Sequence, residues 1–385
     1  MALSESTADR NQIINDVLDG KVPKRVPVSP SVQGELVLQY AGFDLNVEQY
    51  SVEKLIEAID KFSADFDTDT VGAFATHFPD VYKMMEAKSF VMGSDGFMQH
   101  PDFGGMNVED YDAFIEDPYK CTLETIIPRV YPAFAGGSQR AVEAKTKAFF
   151  LHQRTMAKLG AAVGEIAKKY NKATASFSGG IGYCPCDFIA DQLRCFSGIS
   201  KDIRRIPEKV EAACWAIVPM MTKAALSKGP KATKHDIVFI PLHMAPFMRE
   251  KDFLRFWWPQ FKQLVDNLNA AGYRTNLFLE QDWSRYIDYL KDLPDGQILW
   301  AEFGDPKEFK DKLGAQHILT GFYPLNKVKN GTVEECVDES KKQIDILAPG
   351  GNYYLCFEKS PLLLADIKPD NLRAVIDTYQ QYGRY

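Results

Sequence analysis

The sequence predicts an α/β fold, a single (β/α)8 barrel of the TIM type with a helical and loop insertion over its mouth. Eight apolar, β-branched or aromatic runs read as strands, at residues 25–30, 70–75, 173–178, 236–243, 274–280, 297–303, 317–322 and 352–357. Between most of them lie stretches with apolar residues at helical spacing, at 52–62, 253–271, 332–347 and 368–382. Strand and helix alternating in this way argue for a parallel sheet with covering helices. Eight strands favour a closed barrel over an open doubly wound sheet, and no Gly-x-Gly-x-x-Gly follows the first strand to support dinucleotide binding.

Residues 78–172 break the rhythm. The segment 93–106 (GSDGFMQHPDFGGM) reads as a loop, and Asn107 with Asp110 three residues on resembles a capping box opening a helical stretch. So much chain between two strands is expected to form an insertion, a cap over the barrel mouth. No repeat, low-complexity tract or linker divides the 385 residues, so 1–385 reads as one domain.

Hydrophobic content of 45% is ample for a large core. A formal net charge of −7 argues against nucleic acid as the main partner, because phosphate binding needs a positive face. The polar N-terminus has no apolar signal region, and no run approaches the ~18 apolar residues of a membrane span. These features lead to the expectation of a soluble, cytoplasmic enzyme. Seven scattered cysteines, an odd number, do not make a disulfide framework.

Three predicted strands end on residues able to hold a metal: His243, Glu280 and Cys356. In a parallel barrel the C-terminal ends of the strands carry the chemistry. Imidazole, carboxylate and thiolate together form a Zn²⁺-type ligand set with one open position. Glu302 and Glu358 are rival ligands at neighbouring strand ends, His77 and His100 sit on loops, and His317 begins a strand at the other end.

Several stretches together resemble the uroporphyrinogen decarboxylase superfamily. They are the 24–30 strand after Asp19-Gly20, the 65–71 segment (DFDTDTV), the 253–268 helix (FLRFWWPQFKQLVDNL), and the closing region 351–375 with Pro369-Asp370-Asn371-Leu372. The resemblance spans nearly the whole chain and implies a single (β/α)8 barrel. The decarboxylases carry an Arg-rich motif after the first strand, whereas this chain reads Ser31-Val32-Gln33-Gly34-Glu35-Leu36. The zinc methyltransferases of the superfamily that methylate thiols carry a His-x-Cys pair and a later Cys. Here Phe278-Leu279-Glu280 stands for the pair, Cys356 for the last ligand, and His243 is available to replace the lost nitrogen. A carboxylate-containing site suits oxygen ligands better than thiolate. The chain therefore looks most like the branch that demethylates ethers, with Phe97, residues 100–103 and residues 110–118 adding to the likeness.

That resemblance implies an O-demethylase-type methyltransferase. It would remove the methyl group of a small methoxylated compound and pass it to the Co(I) centre of a corrinoid (cobalamin) held by a partner protein, with zinc as Lewis acid. Tyr323 is the expected hydrogen-bond donor to the leaving oxygen, and Asp282 the residue that orients a metal ligand. Phe97, Phe103, Tyr183 and Trp283 fall on loops at the mouth and are expected to line an aromatic pocket. The alternatives are methyl transfer from a methylcorrinoid to a thiol, a metal-free decarboxylase-like reaction, and a tetrapyrrole- or corrinoid-binding protein without turnover.

Overall fold

The computed structural model describes residues 5–74, 77–226, 229 and 232–385. Ala75, the last residue of the second expected strand, lies outside the described residues. The strands are β1 (Val32–Gln33), β2 (Ala73–Phe74), β3 (Val91–Met92), β4 (Met98–Gln99), β5 (Gly180–Ile181), β6 (Ile237–Leu242), β7 (Arg274–Leu279), β8 (Ile298–Ala301) and β9 (Ile318–Gly321). Strands β5 to β9 form one parallel sheet in chain order, β1 pairs with β2 in parallel, and β3 and β4 make an antiparallel hairpin. The register runs Ile237 against Arg274, Asn276 against Ile298, and Ile298 against Ile318.

Two expected strands, 25–30 and 352–357, form no ladder. They make isolated parallel bridges instead, Leu319 with Tyr353 and Val28 with Leu355. Further amides extend the sequence of contacts, from Asp69 to the Val28 carbonyl (2.7 Å) and from Ala173 to the Asp69 carbonyl (2.7 Å). Pairing in the first part of the chain is thus shorter than the apolar runs suggested: of the described residues of 70–75 only those of β2 pair as a strand, and 173–178 leads into β5.

Side chains alternate across the strands with a period of two. Ile237, Ile298, Trp300, Ile318, Tyr354 and Cys356 join Phe177, with Phe239 and Phe278 beside them, in an inner cluster. Val238, Leu242, Leu277, Leu299, Leu319 and Leu355 belong to the outer cluster packed under the helices. Burial on both faces is the mark of a parallel sheet covered by helices. Helix α1 (Thr7–Leu18), capped by Ser6 and Asp9, sends Ile14, Val17 and Leu18 into the inner cluster at the N-terminal ends of the strands.

The region 78–172 holds the β3–β4 hairpin, short helical turns and the 31-residue helix α2 (Gln139–Lys169). Asn107 and Asp110 do form a capping box, at the start of a 3₁₀ turn. The expected single helix 253–271 is broken into α3 (Glu250–Phe256) and α4 (Trp258–Ala270). Pro259 has no N–H to give the carbonyl of Arg255. The side-chain amide of Gln260 takes that carbonyl instead, at 3.1 Å, and Trp257 between the helices has a φ of −121°.

Beneath the strands lies a buried ionic knot. Asp69 is fully buried and accepts from Arg10 (3.0 Å), from both Nη atoms of Arg25 (2.8 and 2.5 Å) and from the amide of Val28 (2.7 Å). Glu5 pairs with the far side of Arg25, and Lys172 donates to the carbonyls of Phe66 and Thr68. Removing one partner of a buried pair leaves the others uncompensated, at about 3–5 kcal/mol. Asp69→Asn is expected to destabilise the protein by about that amount in urea unfolding. An unchanged midpoint would show that the knot does not hold the strands.

Candidate active site

His243 immediately follows β6 and Glu280 immediately follows β7, so neighbouring strand ends present them side by side. His243 Nδ1 and Glu280 Oε2 are 2.7 Å apart, and each side chain is about 30% exposed at the mouth. The alternation that points Phe239 and Phe278 inward reaches His243 and Glu280 at the next steps. Both are pinned through the backbone. The amides of His243 (2.8 Å) and Met244 (3.1 Å) and the indole of Trp257 (2.7 Å) donate to the buried carboxylate of Asp187. The carbonyl of Glu280 accepts from Trp283 Nε1, and Gln281, at a φ of +62°, gives its amide to Glu302.

The electrostatics follow from this arrangement. Burial pushes the Asp187 carboxyl up to about 6, against the pull of the His243 charge and the three donors. Burial also lowers His243, but the hydrogen bond and charge of Glu280, with Asp187 and Asp191, outweigh it and raise the imidazole to about 9. His243 is therefore an imidazolium at neutral pH, with Nδ1 committed to Glu280 and Nε2 left for another partner.

A cavity of about 340 Å³ opens beside His243, lined also by His100, Phe103, Asp191, Phe196 and Met244. His100 stacks on Phe90 at 4.4 Å and stands 3.5 Å from Asp191. A larger cavity, about 570 Å³, lies over the inner cluster at the C-terminal ends of the strands. Its floor is Phe239, Asn276, Trp300, Tyr354 and Cys356, and Met156 of α2 reaches its edge.

The three expected metal ligands divide between these places. His243 Nδ1 and Glu280 Oε2 bond each other. Cys356 lies in the larger cavity, where burial pushes its thiol up to about 12 and keeps it neutral. Among the described residues no three His, Cys, Asp or Glu side chains converge to hold a metal ion. As placed, this donor set does not fit a three-ligand zinc site. The rival carboxylates are engaged elsewhere: Glu302 binds Lys359 (3.0 Å), and Glu358 accepts the Leu325 amide (3.1 Å).

Other expected site residues are corrected by packing. Tyr323 is fully buried in the cluster under the helices and gives its hydroxyl to the carbonyl of Cys336 (2.9 Å). Asp282 caps its own turn through the Ser284 amide (2.8 Å) and bonds neither His243 nor Glu280. Trp283 is fully buried against Trp257 rather than lining a pocket. Tyr183 is half-buried against Phe188, and Phe97 sits on the β3–β4 hairpin; neither lines the two cavities. Phe103 does line one, beside His243. Sequence reasoning missed Asp187, Asp191 and Asn276. The Asn was detectable as the polar residue in the middle of an apolar strand (RTNLFLE).

No family model and no curated protein matches this sequence. Among solved structures, a methyltransferase from Methanosarcina mazei is similar in fold, with a TM-score of 0.60 at 15% identity. The match covers 98% of this chain and 99% of that one. The two chains therefore share one fold from end to end.

A raised histidine pKa means that the charged, paired form stabilises the fold. The contribution is complete below the ordinary value of about 6.5 and is lost as pH rises through about 9. NMR titration of the metal-free protein is expected to show His243 titrating near 9. In Glu280→Gln it should fall, because burial is then opposed only by the charges of Asp187 and Asp191. A wild-type value near 6.5 would contradict the pairing.

Proposed function

We propose that this protein is a methyltransferase that demethylates a small methoxylated aromatic compound and hands the methyl group to a corrinoid on a partner protein. The observation that carries this reading is the His243–Glu280 pair on adjacent strand ends, in a fold shared end to end with a methyltransferase. The parallel run β5 to β9, the parallel bridges Leu319–Tyr353 and Val28–Leu355, and the single bonds from Asp69 to Val28 and from Ala173 to Asp69 support a closed (β/α)8 barrel. Met156 at the cavity edge supports a capping role for residues 78–172. All seven cysteines are free, in keeping with a cytoplasmic setting, and among the described residues no helix is long and apolar enough to cross a membrane.

A methyl ether is unreactive because its leaving group is a poor one. A Co(I) corrinoid on the partner protein would supply the nucleophile for the methyl carbon, and the ether oxygen released would need a proton. The chain supplies the proton: His243 Nε2 donates to the departing oxygen, and Glu280 on Nδ1 holds the ring and stabilises its charge. Asp187 fixes the backbone that carries the ring. Phe103 and Phe196 line the cavity beside it, with His100 and Asp191. As the donor set does not fit zinc, no step of this reading runs through a metal ion.

Methoxybenzenes incubated with the protein and reduced cobalamin should give the absorption spectrum of methylcobalamin. His243→Ala is expected to lower kcat by roughly 10²–10⁴, the worth of a positioned acid, with little change in ligand binding. The wild-type rate should fall as pH rises through about 9. No methylation across a panel of methoxybenzenes would overturn the reading.

A further inference from the structure

The larger cavity carries an observation that the methyl-transfer chemistry does not use. Asn276 lies in the middle of β7, 3% exposed, on the cavity floor. Its Nδ2 donates to the carbonyl of Phe177 at 3.0 Å, which fixes the orientation of the amide. Its Oδ1 is buried with no hydrogen-bond partner. Buried polar atoms are nearly always satisfied, and an unmet acceptor beside a cavity calls for a donor from outside the chain.

The walls state what kind of molecule brings that donor. Phe177 and Tyr354 stack face to face at 3.8 Å and 3°, and Phe239 and Trp300 complete an aromatic lining with Cys356. Ser29 is paired with Thr70 (2.7 Å) and Thr320 with the carbonyl of Tyr354 (2.7 Å), while the Tyr354 hydroxyl stands beside the side chains of Thr320 and Asn276. At about 570 Å³ the cavity is the size of a small-molecule site. A dry apolar cavity of roughly 150 Å³ already admits benzene. The pocket thus offers flat apolar walls and one oriented acceptor.

We infer that Asn276 selects an aromatic ligand bearing an O–H or N–H donor at its deep end. This deepens the methyl-transfer reading and rests on it for the role of the methoxy end alone. The ring subsite itself stands on the cavity and the orphaned oxygen.

The test is equilibrium binding by calorimetry, without corrinoid or turnover, so that it is independent of methyl transfer. 4-Methoxyphenol and 4-methoxyaniline are compared with 4-methoxytoluene, which has similar shape and no donor. The donor compounds are expected to bind about five- to tenfold more tightly to the wild type, the worth of one hydrogen bond to a buried acceptor. In Asn276→Leu that preference should vanish while 4-methoxytoluene still binds. Asn276→Ser serves if the Leu variant does not fold. Equal affinity of all three for the wild type overturns the proposal, as does a preference that survives both substitutions. Donor-selective binding without any methyl transfer would keep the subsite and remove the methyl-transfer reading.

Discussion

The carboxylate of Asp69, sealed at the N-terminal ends of the strands, accepts four hydrogen bonds from Arg10, Arg25 and Val28. The first part of the chain is positioned against it. Arg10 ties down α1, Arg25 and Val28 bring in the segment before β1, and the Asp69 backbone joins that segment to Ala173. Pairing in this region consists of two-residue strands and single bridges, too little to fix a register alone. Two guanidinium groups on one carboxylate supply the missing constraint, and their burial makes any alternative arrangement costly. Glu5 balances the second positive charge from the rim. With the strand starts locked, the opposite ends can carry loops whose backbone is free to serve chemistry.

That division of labour is visible in the active-site half. Asp187 collects the amides of His243 and Met244 and the indole of Trp257, so the turn after β6 is held by one buried carboxylate as the strand starts are held by another. Glu302 does the same for Gln281 in the turn after β7, bracing a left-handed residue directly beyond Glu280. The His243–Glu280 contact is therefore the meeting of two braced turns, which is what a preorganised proton donor requires. Proximity to Glu280 and Asp187 outweighs burial and keeps the imidazole charged.

Much of this was legible in the sequence, and the reasons for the rest are physical. The strand ends of β6 and β7 were found from apolar periodicity, and they do bring His243 and Glu280 together. Cys356 also lies on an inward-facing row, but deeper, which strand-end position alone does not reveal. Tyr323 and Trp283 were read as mouth residues from their place after strands. Both pack into the cluster under the helices instead. Pairing lengths near Val28 and Ala73 were overestimated, because apolar runs report burial and not ladder hydrogen bonds. Asp187 and Asp69 are buried acids whose partners come from distant segments, and no local pattern announces them.

Acid assistance from His243 makes a specific demand on the leaving group. The most direct measurement is the rate of cobalamin methylation with a series of ring-substituted methoxybenzenes of graded phenol acidity, for the wild type and His243→Ala. If the imidazolium protonates the departing oxygen, the wild-type rate depends weakly on leaving-group acidity and the variant's depends steeply. Equal slopes for the two proteins would contradict a role for His243 in the proton transfer.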